Sequence, residues 1–223
     1  MKPKIKTPFF SVSPKSYLIG QDLLDLARIT DKLAEKMEST IFFAAPPTEL
    51  LNIINTTKNV IVTSQSADGL GLGKGMGRPL LESLKEIGVQ ATFINHMEAQ
   101  LTFKEIIAAI NKARDLEIIS IVCVDTAEEA RVIAHANPDI ILCEPNQLIG
   151  TGQTSDDNYV HETMKEIKKV NPNILIMEGA GITCGSDVSR IIKLGADGTG
   201  VSSVLAKDCN KEELLTDLFN GLK

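Results

Sequence analysis

Seven polar or ionisable residues stand at or just beyond the ends of short apolar runs in this chain: Lys15, Gln65, His96, Asp125, Glu144, Ser202 and Ser203. Carboxylates and imidazoles can move protons, an ammonium can offset negative charge, and hydroxyls and amides can hold an anion. Strand ends that meet water also become polar for no chemical purpose, so any one of them is as readily a solvated end as a functional group. The set says more than its members. Glu144 is the sharpest case: the run Ile140-Ile141-Leu142 gives way to CEPNQLIGTGQT, where an acid is followed by two glycines flanking a threonine.

The elements that would position these groups can be read from the spacing of the runs, which cover residues 9–12, 40–46, 60–65, 91–96, 118–125, 139–144, 174–178 and 198–203. Between them the pattern is helical. Leu26, Ile29, Leu33 and Met37 recur at three- and four-residue steps and predict one apolar face. Thr102 with Glu105, and Thr126 with Glu129, have the spacing of capping boxes, in which two side chains satisfy each other's free backbone N–H groups. Gly195 closes the helix that carries Val188, Ile191, Ile192 and Leu194, as a residue tolerating positive φ does. Runs that are apolar along their whole length are covered on both faces, which parallel strands joined by helical crossovers require. Eight such units predict an α/β fold closed as a (β/α)₈ barrel, with an open doubly wound sheet as the alternative. In such a barrel catalytic side chains stand at the carboxyl ends of the strands. No linker or low-complexity tract interrupts the alternation, so residues 1–223 read as a single domain.

Composition narrows the functional classes. A formal net charge of -6 and a pI near 5.2 argue against a nucleic-acid surface, which needs clustered Lys and Arg. No tract is long and apolar enough to span a bilayer, and the N-terminus lacks the continuous apolar stretch of a signal peptide, so the expectation is a soluble cytoplasmic protein with no membrane partner. Cys123, Cys143, Cys184 and Cys209 show no paired C-x-x-C spacing and read as small buried hydrophobes, without a metal or redox role. The glycine-rich stretch GLGLGKGMGRP, residues 69–79, fits neither G-x-G-x-x-G nor G-x-x-x-x-G-K-[ST] and is not a nucleotide loop. His135 and His161 fall on helices as solvated surface residues.

Four segments, INHMEAQL (94–101), EPNQLIGTG (144–152), EGAGITCGSDV (178–188) and LGADG (194–198), in that order and spacing, resemble the triosephosphate isomerase family, particularly its short archaeal-type form. The resemblance runs from about Phe9 to Leu222. It implies a TIM barrel that interconverts dihydroxyacetone phosphate and D-glyceraldehyde 3-phosphate through an enediolate, a reaction of glycolysis and gluconeogenesis that requires no metal or organic cofactor. Glu144 matches the family's base, which moves a proton between neighbouring carbons. His96 matches the electrophile, an imidazole that the family keeps neutral by a helix N-terminus. Lys15 matches the lysine whose cation offsets substrate and enediolate charge.

The same resemblance makes the segment after Glu144 a lid, with Pro145 and Gly150-Thr151-Gly152 as hinges and Ile149 at the tip that excludes water. Phosphate is expected on backbone N–H groups at Gly150, Gly181, Ser202 and Ser203, the last two at the start of a short helix. Residues 69–79 match the loop that docks beside a partner subunit's active site, implying a homodimer or homotetramer. Three positions depart from the family: Ser13 replaces Asn, Met76 replaces Thr and Met97 replaces Ser. The expected result is a more apolar, less firmly oriented site and slower turnover. A related isomerase for a four-carbon ketose phosphate and a non-catalytic phosphate-binding homologue stand as alternatives.

Overall fold

The computed structural model describes residues 2–73, 75–208 and 210–223, so Lys74 and Cys209 lie outside the described residues. Each apolar run forms a parallel strand: β1 Phe9–Val12, β2 Ile41–Ala45, β3 Ile61–Ser64, β4 Ala91–Ile94, β5 Ile119–Val124, β6 Ile140–Cys143, β7 Leu175–Glu178 and β8 Gly198–Val201. They pair in chain order, and β8 returns to β1 to close the barrel. The (β/α)₈ expectation holds and the open sheet does not. The crossovers carry α1 Gly20–Ala34, α2 Leu50–Thr56, α3 Leu81–Glu86, α4 Phe103–Asp115, α5 Ala127–Ala134, α6 Asp157–Val170 and α7 Gly185–Lys193, with α8 Val204–Lys207 and α9 Lys211–Asn220 after β8.

The strands are apolar throughout because alternate residues enter two different cores. Phe9, Phe42, Phe93, Ile121, Leu142 and Met177 fill the barrel interior. Their neighbours Phe10 and Phe43, and on the other side Ile94, Val122, Ile141 and Ile176, pack outward against the helices. Each such side chain taken from water contributes roughly 1.5–3 kcal/mol. At the bottom of the barrel Phe9 is opposite Gly198, where a Cβ would lie 2.4 Å from the ring; the glycine makes room for the phenyl group.

Helix ends follow the sequence with one difference. Thr102 and Glu105 form the full reciprocal box at the start of α4. At α5, Thr126 accepts from Glu129 N–H at 3.2 Å, but the Glu129 carboxylate turns to the N–H of Asp125, the first amide beyond β5, at 2.9 Å. The stripe on α1 is also rotated slightly: Leu23, Leu26, Ala27, Thr30 and Ala34 are buried, Ile29 and Leu33 lean on the rim of the core, and Met37 lies past the helix end. Gly195 takes φ +105° at the end of α7, as its position required. Cys123 and Cys143 are buried and Cys184 is half-buried. His135 and His161 are both exposed. Among the described residues no helix is long and apolar enough to cross a membrane.

Candidate active site

Strand parity decides where Glu144 points. Ile140 and Leu142 face the barrel interior, Ile141 and Cys143 face the helices, and the ladder continues one step through the N–H of Glu144 to the carbonyl of Val124 at 3.0 Å. Glu144 therefore continues the inward series at the carboxyl end of β6. Its Oε1 accepts from the N–H of Ala180 at 2.9 Å. Burial pushes the carboxyl above its ordinary range; the Lys15 ammonium and the Ala180 N–H pull the other way and offset part of the rise. A carboxylate so placed can take a proton from carbon near neutral pH.

His96 follows β4 through Asn95, a left-handed residue at φ +62°. The Asn95 amide spans the turn, donating to the carbonyl of Cys123 at 3.1 Å and accepting from the N–H of Leu101 at 3.0 Å. His96 then caps a single 3₁₀ turn, Met97–Ala99, with Nδ1 accepting from the N–H of Glu98 at 3.1 Å. That bond leaves Nε2 to carry the proton of a neutral ring. Burial, joined by the nearby Lys15 cation, holds the imidazole below its usual pKa, and Glu98 opposes this. A neutral ring with its N–H free can donate to a carbonyl or enediolate oxygen.

Lys15 sits in the left-handed region at φ +49°, an uncommon conformation for a side chain of its size. Its carbonyl accepts from Gln65 Nε2 at 3.0 Å, and its Nζ bonds Glu98 Oε1 at 2.7 Å. The ion pair holds the Glu98 carboxyl below its ordinary range. Because Glu98 is 58% exposed, the pair adds at most about 1 kcal/mol to stability. Its effect is positional: it ties the residue after β1 to the turn after β4.

These groups share one cavity of about 370 Å³ at the carboxyl ends of the strands. Every residue expected at the site lines it: Ser13, Lys15, His96, Glu144, Ile149, Gly150, Gly181, Ser202 and Ser203. The segment after Glu144 makes a 3₁₀ turn, Asn146–Leu148, then passes through Gly150 and Gly152, both at φ +78°. Its root is fixed by Asp125, whose carboxylate accepts from the backbone N–H and side-chain amide of Asn146 at 2.8 and 3.0 Å. Gly181 at φ +67° packs so tightly on the end of this segment that a Cβ would lie 2.1 Å from the carbonyl carbon of Gln153. The short helix expected after Ser202 and Ser203 is α8, four residues long, so its dipole is small and any anion there would rest mainly on individual donors.

Two departures from the family pattern fall outside this cavity. Met97, 39% exposed, lines a neighbouring cavity of about 460 Å³ that His96 and Glu144 also border. Met76 projects fully into solvent from residues 69–79. Only Ser13 touches the shared cavity directly. The sequence reading also missed two contributors. Ala180 supplies its backbone N–H, which no residue type announces. Ser11 lines the cavity with a buried Oγ that has no partner among the described residues, as does Ser202; a polar residue inside the run FFSV was the available signal for Ser11.

A closed parallel barrel whose carboxyl-end cavity gathers an ammonium, an imidazole and a carboxyl group defines an acid–base barrel enzyme. A family model described as triosephosphate isomerase matches residues 15–217. The triosephosphate isomerase of Methanocaldococcus jannaschii is 34% identical over 204 residues, covering 90% of this chain and 93% of that protein. Those of Sulfurisphaera tokodaii and Caldivirga maquilingensis are each 32% identical, covering 100% and 98% of this chain and 97% and 99% of theirs. The chain belongs to the triosephosphate isomerase family.

Proposed function

We propose that this protein interconverts dihydroxyacetone phosphate and D-glyceraldehyde 3-phosphate, acting as one domain over residues 1–223. The observation that carries the reading is the meeting of Lys15, His96 and Glu144 on one cavity of about 370 Å³. Glu144 takes a proton from the carbon beside the carbonyl and returns it to the neighbouring carbon. The Nε2–H of His96 donates to the oxygens as the enediolate forms, and the Lys15 ammonium offsets its charge. Phosphate is held by backbone N–H groups at Gly150, Gly181, Ser202 and Ser203, joined by the Ser202 hydroxyl. The segment from Pro145 to Gly152 closes over it with Ile149 shielding the reacting atoms. No observation favours a four-carbon substrate or a non-catalytic role.

The loop over residues 69–79 supports assembly into a homodimer or homotetramer. Its base is clamped by a two-pronged contact from Arg78 to Asp68 at 2.7 and 2.6 Å, while Leu72 and Met76 are presented to solvent. Glycolysis or gluconeogenesis in the cytoplasm is the setting that fits this reaction.

The test is a coupled assay in both directions on the parent and on Glu144→Gln. The parent is expected to turn over both triose phosphates. The variant is expected to lose about 10²–10⁴ in kcat while binding phosphate ligands as before, because the amide keeps the shape without the base. A variant with near-parent turnover removes Glu144 from the mechanism.

A further inference from the structure

Glu178 is a carboxyl group that the reaction does not use, sealed behind the site. It is the last residue of β7 and shares the outward parity of Ile176, so its side chain enters the layer between barrel and helices, where it is 0% exposed. Among the described residues it joins no ion pair, and its Oε2 has no hydrogen-bond partner. Its Oε1 lies 2.8 Å from the hydroxyl of Thr163, in the middle of α6. That hydroxyl also lies 2.9 Å from the carbonyl of Tyr159 and 3.0 Å from that of Val160. One hydroxyl proton cannot serve three acceptors. The Thr163 hydroxyl can donate to Glu178 only by giving up the carbonyls of the preceding turn, and a protonated acid relieves that competition by donating to the hydroxyl instead. A charged carboxylate with one oxygen unpartnered and no cation beside it would carry the full cost of desolvation.

The groups facing Glu178 do not change this account. From β6 comes the Cys143 thiol, which hydrogen-bonds the Glu178 carboxyl and is itself raised by burial, and from α6 the Tyr159 phenol, raised likewise. From β8 comes Thr199, whose hydroxyl is taken by the Glu178 carbonyl at 2.7 Å. Burial drives the Glu178 carboxyl well above its ordinary range, and the hydrogen bonds to Thr163 and Cys143 offset only part of the rise.

Two residues further along the chain is the donor that holds the proposed base. Gly179 N–H bonds the carbonyl of Cys143 at 2.9 Å, and the Ala180 N–H bonds Glu144 Oε1 at 2.9 Å. Thr163, for its part, lies on the helix into which the segment after Glu144 runs. We propose that Glu178 is a positioning residue that works as a neutral acid, its O–H to Thr163 pinning α6 against the end of β7 and thereby fixing the Ala180 N–H that orients Glu144.

The inference rests on the isomerase reading, and its test separates the two. Glu178→Gln, which can still donate to Thr163, is expected to keep kcat within about twofold. Glu178→Leu is expected to lower kcat about tenfold with KM within about twofold, through lost orientation of one catalytic group. Removing a buried polar group for an apolar one of similar bulk leaves stability unchanged or higher, so the Leu variant should also melt no lower than the parent. A merely structural acid would not divide activity from stability in this way. Thr163→Val should match Glu178→Leu, and the double variant should be no slower than either single one. Infrared spectroscopy should show a protonated carboxyl band in the parent above neutral pH that is absent from Glu178→Gln. A missing band, or a Leu variant with parent kcat, overturns the inference. A parent protein with no triose phosphate turnover instead overturns the functional reading, and the band still reports the proton.

Discussion

The N–H of Glu98 donates to Nδ1 of His96 at 3.1 Å, so the ring cannot place a proton on that nitrogen without losing the contact. This bond and burial both disfavour the imidazolium. His96 is therefore expected to remain neutral, protonated on Nε2, below the ordinary histidine value of 6.5. The sign of the stability effect follows: as pH falls through the unfolded pKa, the unfolded chain binds the proton first and stability is lost. The raised pKa of Glu144, the proposed base, predicts an acid limb of activity as its carboxylate form is lost with falling pH. Nitrogen NMR of the imidazole against pH checks the histidine; a titration midpoint at or above 6.5 would refute it.

Asp125 was visible in the sequence only as a strand-end acid, yet it anchors the segment that follows Glu144 by two bonds to Asn146. Its carbonyl also accepts from the Tyr159 hydroxyl at 2.8 Å. Asp125→Ala should loosen the root of the proposed lid and change kcat and KM together, by about tenfold in kcat/KM. Steady-state kinetics indistinguishable from the parent would show that closure does not depend on this anchor.

Assembly gives an independent handle. Met76 is fully exposed beyond the contact between Arg78 and Asp68, on the loop that the proposed assembly would use. Met76→Asp would place an unpaired charge in the proposed interface and should shift the protein toward monomer. Sedimentation velocity reads this directly, and an unchanged oligomer would put the interface elsewhere.

Ser13, Met76 and Met97 were expected from the sequence to make the site more apolar and less firmly oriented. The structure separates them, since Ser13 lines the shared cavity and Met97 the neighbouring one. Ser13→Asn should raise triose phosphate turnover up to about tenfold by giving Lys15 a firmer neighbour. Met97→Ser should add less. Equal gains from the two would overturn this ranking, and no gain in a parent already near the diffusional ceiling would make the departures neutral.

Much of this was legible because strand, helix and catalytic position are written in side chains. Unbroken apolar runs at eight positions gave the strands to within a residue or two, and Glu144, His96 and Lys15 stood where those runs end. What was not legible lies in the backbone or across the fold. The Ala180 N–H looks like any alanine in GAG, and the Glu129 carboxylate bonds the N–H of Asp125, just past β5, instead of closing its own cap. Glu178 reads as one more polar strand end, and only the parity of β7 turns it away from water. The short helix expected after Ser202 and Ser203 is present as the single turn of α8, a length the sequence did not mark.

The contact between Gly181 and Gln153 joins two tasks that a barrel usually keeps in separate loops. A side chain at Gly181 would strike the backbone at Gln153, beside the proposed far hinge, and in the same stroke distort an amide proposed to grip phosphate. In the proposed mechanism grip and closure therefore share one part, and at this position neither could be altered alone. A chain that drifted to a new substrate would have to do so around Gly181, through positions such as Ser13 that border the reacting end instead.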